Sequence, residues 1–260
     1  MDGVRKLCTV EDVPAQDDVL RLVRRLRPWR PTEGVTRLGV EGGWVVPNTL
    51  EGVSAALVFD ETGRSAAVIA ALAERGIRVV HYRAPADPSP VPDGSVDAFA
   101  KHWSTLDDVR GITLAHALTA NGLADRRDLM LVFDVDGREW DCLPAVDPEH
   151  LVRFKVIAGR LTGLLDIDEH DEFARVRRGV KALVAGHIPT HVHADNSTPL
   201  ALVRGVPLPA TLEISLLRMG ESTFTPYNGP LPAPEDRPST PREEIIVDPW
   251  RHPDEGASGG

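Results

Sequence analysis

The chain has 260 residues, enough for one large domain with a sizeable core. Its 29 Lys and Arg against 39 Asp and Glu give a net charge of −10, which opposes broad adhesion to nucleic acid or to an anionic membrane. Two cysteines, Cys8 and Cys142, are too few for a disulfide framework or a four-cysteine zinc site; with no apolar leader in MDGVRKLCTVEDVPAQDD and no run near the roughly 18 apolar residues of a membrane span, a cytoplasmic protein is expected.

In DDVLRLVRRLRPWR (17–30), Val19, Leu22, Val23 and Leu26 share one helical face, the arginines between them form a solvated face, and Pro28 stops the helix. SAALVFD (54–60) reads as a buried strand, RSAAVIAALAERG (64–76) as a helix ended by Gly76, and IRVVHYR (77–83) as a second strand. Strand, helix and strand within about 30 residues make a right-handed βαβ unit, so a parallel sheet is the expected core. The four prolines of APADPSPVPDG (84–94) forbid regular structure and give an exposed loop. ITLAHALTANG (112–122) gives a short helix, and LMLVFDV (129–135) is the most apolar strand. A helix starting at Asp147 yields to a strand near Val156 to Leu161, and EFARVRRGVKALVAG (172–186) is amphipathic. THVHAD (190–195) and TLEISLLRM (211–219) are two late strands. From about residue 226 the Pro-rich, acidic text offers no core residues and gives an extended or disordered tail. The organisation is thus an N-terminal helical extension (1–35), a main domain (36–225) and that tail (226–260).

Three short motifs invite chemistry. LVFDVDG (131–137) imitates the aspartyl-phosphatase signature, but Arg138 stands where that signature has Thr, and an Asp-Gly turn ending a strand explains the same text. FDETGRS (59–65) follows a strand and opens a helix, where backbone N–H groups and the helix dipole hold anions, yet it lacks both G-x-G-x-x-G and a Walker lysine. HVHADN (191–196) puts His191, His193 and Asp195 on one face of a strand. A zinc site there lacks a second His-rich cluster to complete it, so the histidines read as hydrogen-bonded pocket lining and no metal is expected.

Taken in order, these segments resemble FkbM-type S-adenosylmethionine-dependent methyltransferases. TRLGVEGGWVVPNTLEGVSAALVF (36–59) looks like that family's opening segment, with Glu41, Gly42, Gly43 and Trp44 in place of its Asp-Gly-Gly-Tyr-like turn. LVFDVDGREWDCL (131–143) resembles its Asp-Ile-Glu-Gly-x-Glu-Trp motif through Asp134, Gly137, Glu139 and Trp140, with Asp136 shortening the usual Glu. HVHADNSTPLALVRGVPLPATLEISLLRM (191–219) resembles its late His-x-His-x-Asn-Asn segment and the strand after it. The resemblance implies an α/β, Rossmann-like class I methyltransferase fold: a mostly parallel seven-stranded sheet with helices on both faces and an antiparallel last strand. It also implies S-adenosylmethionine across the carboxyl ends of the first strands. Phe59, Asp60, Thr62 and Gly63 then stand at its amino-acid end, Arg83 at the ribose and Asp134 under the methyl group. His191 and His193 line the acceptor side, one of them as general base for a sugar or natural-product hydroxyl.

Three positions depart from the family pattern. Asp60 stands where a Gly lets the backbone approach the cofactor, with Val68 in place of an acid in the next helix turn. Arg83, which has no acceptor, replaces the acid that would clamp the ribose hydroxyls. Arg160 and Thr162 replace a Glu-x-His pair. Two expectations follow: O-methyl transfer with an altered cofactor pocket, or a degenerate methyltransferase-fold protein that acts as a binding or partner subunit.

Overall fold

The computed structural model describes residues 13–39, 43–84 and 96–252. Cys8, the Glu41 and Gly42 turn, and the proline loop beyond Ala84 lie outside the described residues.

The chain opens with α1 (Gln16–Arg25), whose Val19, Leu22 and Val23 are buried, and continues through β1 (Trp29–Pro31) into an antiparallel pair, β2 (Val35–Leu38) and β3 (Trp44–Pro47). The βαβ unit read from the sequence is β4 (Ala55–Asp60), α2 (Ala66–Glu74) and β5 (Arg78–Arg83), with β4 and β5 parallel. Next come β6 (Val96–Ala100), the short pair β7 (His102–Trp103) and β8 (Gly111–Ile112), and α3 (Leu114–Ala120), whose first turn is capped by the Thr113 hydroxyl. The run LMLVFD forms β9 (Leu129–Asp134), buried at every position as a central parallel strand requires. After it stand α4 (Glu139–Ala145), α5 (Pro148–Leu151), β10 (Phe154–Leu161) and α6 (His170–Leu183), the last burying Phe173, Val176, Val180 and Leu183 at helical spacing. The chain closes with β11 (His187–Ala194), the hairpin β12 (Ala201–Val203) and β13 (Val206–Leu208), β14 (Leu212–Arg218) and β15 (Phe224–Pro226).

Seven of these strands form one sheet in the order β11-β14-β10-β9-β4-β5-β6. Its neighbours are parallel except β14, which runs antiparallel to both β10 and β11. Alternation splits each strand between two cores: Ala55, Leu57 and Phe59 face α1, α3, α4 and α6, whereas Ala56 and Val58 face α2 and the β2–β3 pair. The fold is therefore α/β, with helices on both faces of a mostly parallel seven-stranded sheet. Among the described residues no helix is long and apolar enough to cross a membrane.

Both flanking segments pack on this core. The apolar face of α1 joins the same cluster as α6 and β11. Residues 227–252 form no strand and, apart from the turn at Asp248–Trp250, no helix, yet Leu231, Ala233, Val247 and Trp250 are buried. The physical reason is that β15 pairs with β1, which returns the chain to the edge strand β11 and to α1, where the Arg27 guanidinium donates to the Pro249 carbonyl.

Between β9 and β10, Gly159 is the register partner of Phe133, and a Cβ built on it would lie 2.3 Å from the Phe133 ring. The ring thus packs flat over the glycine. Gly159→Ala is expected to destabilise the protein by about 1–3 kcal/mol, the range for overpacking a closed core. A lowered urea midpoint at unchanged slope would show it; an unchanged midpoint would mean that the ring turns aside without strain.

Candidate functional site

The site begins where β4 meets α2. Asp60 ends the strand, and its Oδ1 accepts the N–H groups of Thr62 at 3.0 Å and Gly63 at 2.9 Å, while Oδ2 accepts that of Ser65 at 2.9 Å. Gly63, at φ 75°, turns the chain so that these amides converge. They are the donors with which a strand-to-helix turn grips an external anion, and here a carboxylate of the chain itself fills them. Asp60 is 1 % exposed, so the arrangement is sealed. The Thr62 hydroxyl donates instead to Asp134 Oδ2 at 2.6 Å. Burial lifts the Asp134 pKa above the usual carboxylate range, against the pull of Thr62 and Arg160. On the other side of the turn Glu61 bridges two further loops, with Arg138 Nε at 3.1 Å and His102 Nδ1 at 3.2 Å.

From Asp60 a row of ionisable side chains crosses the sheet. Asp60 and Asp134 are register partners on β4 and β9. Arg160 follows on β10, its Nε 3.7 Å from Asp134, and its guanidinium also donates to Asp195 and, at 3.0 Å, to Glu213 Oε1. Glu213 on β14 is the register partner of both Arg160 and His193 on β11. His193 Nδ1 meets Glu213 Oε2 at 3.3 Å and its Nε2 meets Glu244 Oε2 at 3.2 Å. Burial opposes a charge on His193, but Glu213, Asp236 and Glu244 outweigh it and hold the imidazolium with a pKa of about 9. Burial likewise opposes the charge of Arg160, and its three carboxylates more than restore it.

Above this row lies a cleft of about 930 Å³. Arg160, Asp195 and Glu213 form its floor; Arg37 and Trp44 from the β2–β3 pair and Arg64 before α2 form its walls. The tail is its roof, through Arg237 to Pro241. Two side chains of β11 and one just past its end latch that roof. His191 Nε2 bonds Asp236 Oδ1 at 2.8 Å, His193 bonds Glu244, and the buried Asn196 amide donates to the Thr240 and Arg242 carbonyls and accepts the Thr240 N–H. Alternation explains the pattern: Val192 and Ala194 point into the core, which turns His191 and His193 to the opposite face, over which the tail passes.

The structure therefore brings Asp60, Thr62, Gly63, Asp134 and His193 into one network. Thr62 and Gly63 donate to Asp60. Phe59 is buried in an aromatic stack with Tyr82 and Trp103, ring centroids 5.2 and 5.0 Å away, because its odd position in β4 faces the helical core. Arg83 is the register partner of Asp60 but does not line the cleft. Neither His191 nor His193 lines it, and their ring nitrogens go to the tail and to Glu213. Arg37, Arg64, Asn196 and Glu213 were seen only as parts of motifs or strands and Arg160 as a departure from a motif, while Arg237 went unread in the sequence. Arg160, Glu213 and His193 were detectable in principle, as charged residues at corresponding ends of apolar strands. No protein-family model matches the chain, and no curated protein matches it either.

Two histidines of β11 titrate in opposite directions. His193, held at about 9, lies above the ordinary 6.5, so its contribution is whole below pH 6.5 and is lost as pH rises through 9. Burial pushes His187 down to about 4, so the unfolded chain takes up its proton first and stability falls as pH drops from 6.5 through 4. The melting temperature is expected to decline on both sides of neutrality, and His193→Gln is expected to flatten the alkaline decline alone. An alkaline limb unchanged by that substitution would remove His193 as its cause.

Proposed function

We propose that this chain is a degenerate methyltransferase-fold protein that acts as a binding or partner subunit instead of transferring a methyl group. The observation that carries the reading is the Asp60 carboxylate lying on the amides of Thr62, Gly63 and Ser65. The family resemblance would place the amino-acid end of S-adenosylmethionine at that turn, where its carboxylate would now meet another carboxylate in place of free donors. Arg83 offers no acceptor to a ribose, and Asp134 is spent on Thr62 and Arg160. S-adenosylmethionine fits these residues poorly. The sheet supports the methyltransferase-like half of the reading: it is mostly parallel, seven-stranded and antiparallel at its last strand, β14.

One observation favours the alternative of retained O-methyl transfer to a small-molecule or sugar hydroxyl. Asp134 still ends β9 within reach of Arg160, which forms the cleft floor, and burial raises its pKa toward that of a useful base. That reading requires Asp60 to leave the turn.

Calorimetric titration with S-adenosylmethionine and S-adenosylhomocysteine separates the two. The wild-type chain is expected to give no binding heat up to millimolar ligand, and Asp60→Gly, which empties the turn, is expected to bind more tightly than wild type. Micromolar binding by the wild-type chain, with methyl transfer to any hydroxyl acceptor, would overturn the proposal.

A further inference from the structure

We infer that residues 237–246 of the tail are a lid, which swings off the cleft to admit a ligand while both of its ends stay fixed in the core. The lid belongs to either function considered above, since it governs how the cleft is reached and not what reacts there.

Burial divides the tail into two anchors and a span between them. Leu231, Ala233 and Asp236 are buried on one side, Val247 and Trp250 on the other. From Arg237 to Ile246 no residue is buried, and Ile245, beside the second anchor, packs partly against the core. Polar bonds reinforce the first anchor: Asp236 takes His191 Nε2 at 2.8 Å and the Ala233 N–H at 2.7 Å, and the Asp236 N–H donates to the Ala233 carbonyl at 2.9 Å. At the second anchor the Trp250 N–H donates to the Val247 carbonyl at 3.1 Å, and Arg27 donates to the Pro249 carbonyl. The residues that roof the cleft, Arg237 to Pro241, all lie in the span.

Polar bonds tie that span to the body at the segment from His193 to Ser197. Asn196 exchanges bonds with Thr240 and donates to the Arg242 carbonyl, the Arg242 guanidinium donates to the Ser197 carbonyl, and His193 meets Glu244. Bonds of this kind are traded for bonds to water at small net cost, whereas freeing Leu231 or Trp250 exposes apolar surface. The span therefore opens more readily than its anchors. Pro238 and Pro241 restrict its backbone, so it moves as a stiff strap. Opening uncovers Arg160, Asp195 and Glu213, and a ligand that touched both this floor and the strap would hold the lid shut.

Amide exchange on the full chain tests the lid, because each region has an N–H with an internal acceptor. Thr240, whose N–H meets Asn196 Oδ1 at 2.8 Å, reports the span, while Asp236 and Trp250 report the anchors. The Thr240 N–H is expected to exchange at least about a hundredfold faster than either anchor, at a rate that low urea leaves unchanged, since opening the span exposes little apolar surface. Exchange of all three at one rate would mean that the tail leaves as a whole or only on unfolding, and would overturn the inference. Trypsin cleavage after Arg242 gives a second reading under native conditions. Asn196→Ala is expected to speed it about tenfold, the effect of losing one net hydrogen bond. Glu244→Ala, a change on the span and not in the core, is expected to speed Thr240 exchange likewise. Cleavage that rises with urea only in step with global unfolding, or strap opening indifferent to both substitutions, would also overturn the inference.

Discussion

A guanidinium removed from water must be surrounded by carboxylates, and Arg160 is 5 % exposed. Stripping its hydration costs several kcal/mol, which only close and well-aligned acceptors offset. It obtains them from three elements: Asp134 at the end of β9, Glu213 on β14 and Asp195 just past β11. Those strands are thereby held at one level on the same side of the sheet. Glu213 in turn needs a second donor and finds it in His193, and His193 needs a second acceptor and finds it in Glu244 of the tail. The chain of requirements set by one buried charge thus runs from the middle of the sheet to the roof of the cleft.

Asp60 answers the same kind of constraint at the other end of the row. The first turn of α2 presents amides that lack partners within the helix, and something negative or polar must meet them. In a ligand-binding turn the ligand does so. Here Asp60 meets the amides of Thr62, Gly63 and Ser65 in the turn that leads into α2. Beyond this turn, the cleft opens on the Arg160 side, with the tail above it. At β4 the turn thus finishes its own hydrogen bonding with a carboxylate of the chain, and the cleft lies farther along the row of charged side chains.

How much of this was legible in the sequence follows from the range of each interaction. Strands such as LMLVFD and the helix from His170 to Leu183 announce themselves because burial imposes a period on neighbouring residues. The shared face of His191 and His193 follows from the same alternation, and that reading held. Their partners did not, because Asp236 and Glu244 lie more than forty residues downstream in text without periodicity. The packed tail was hidden for the same reason: Leu231, Trp250 and the short run Ile245 to Val247 stand among prolines and charges without a period, and only tertiary structure gathers them. The cleft arginines at 37, 64 and 237 are as widely separated.

The residues that carry the resemblance after β9 bond to the fold and not to the cleft. Glu139 is fully buried and accepts the N–H groups of Gly137 and Thr162 and the Thr162 hydroxyl, while Trp140 Nε1 donates to the Thr162 carbonyl at 2.6 Å. The Gly-x-Glu-Trp text therefore joins the turn after β9 to the end of β10, and a Cβ on Gly179 of α6 would lie 2.6 Å from the Trp140 ring. Glu139 keeps these partners although burial raises its pKa. None of those bonds involves a ligand. A chain that stopped transferring methyl groups would still lose stability if it lost them, since a buried carboxylate or indole left without its partner costs about 1–3 kcal/mol. The motif thus builds the join between β9 and β10, while the cleft is faced by Arg37, Arg64, Arg160, Asp195, Glu213 and Arg237.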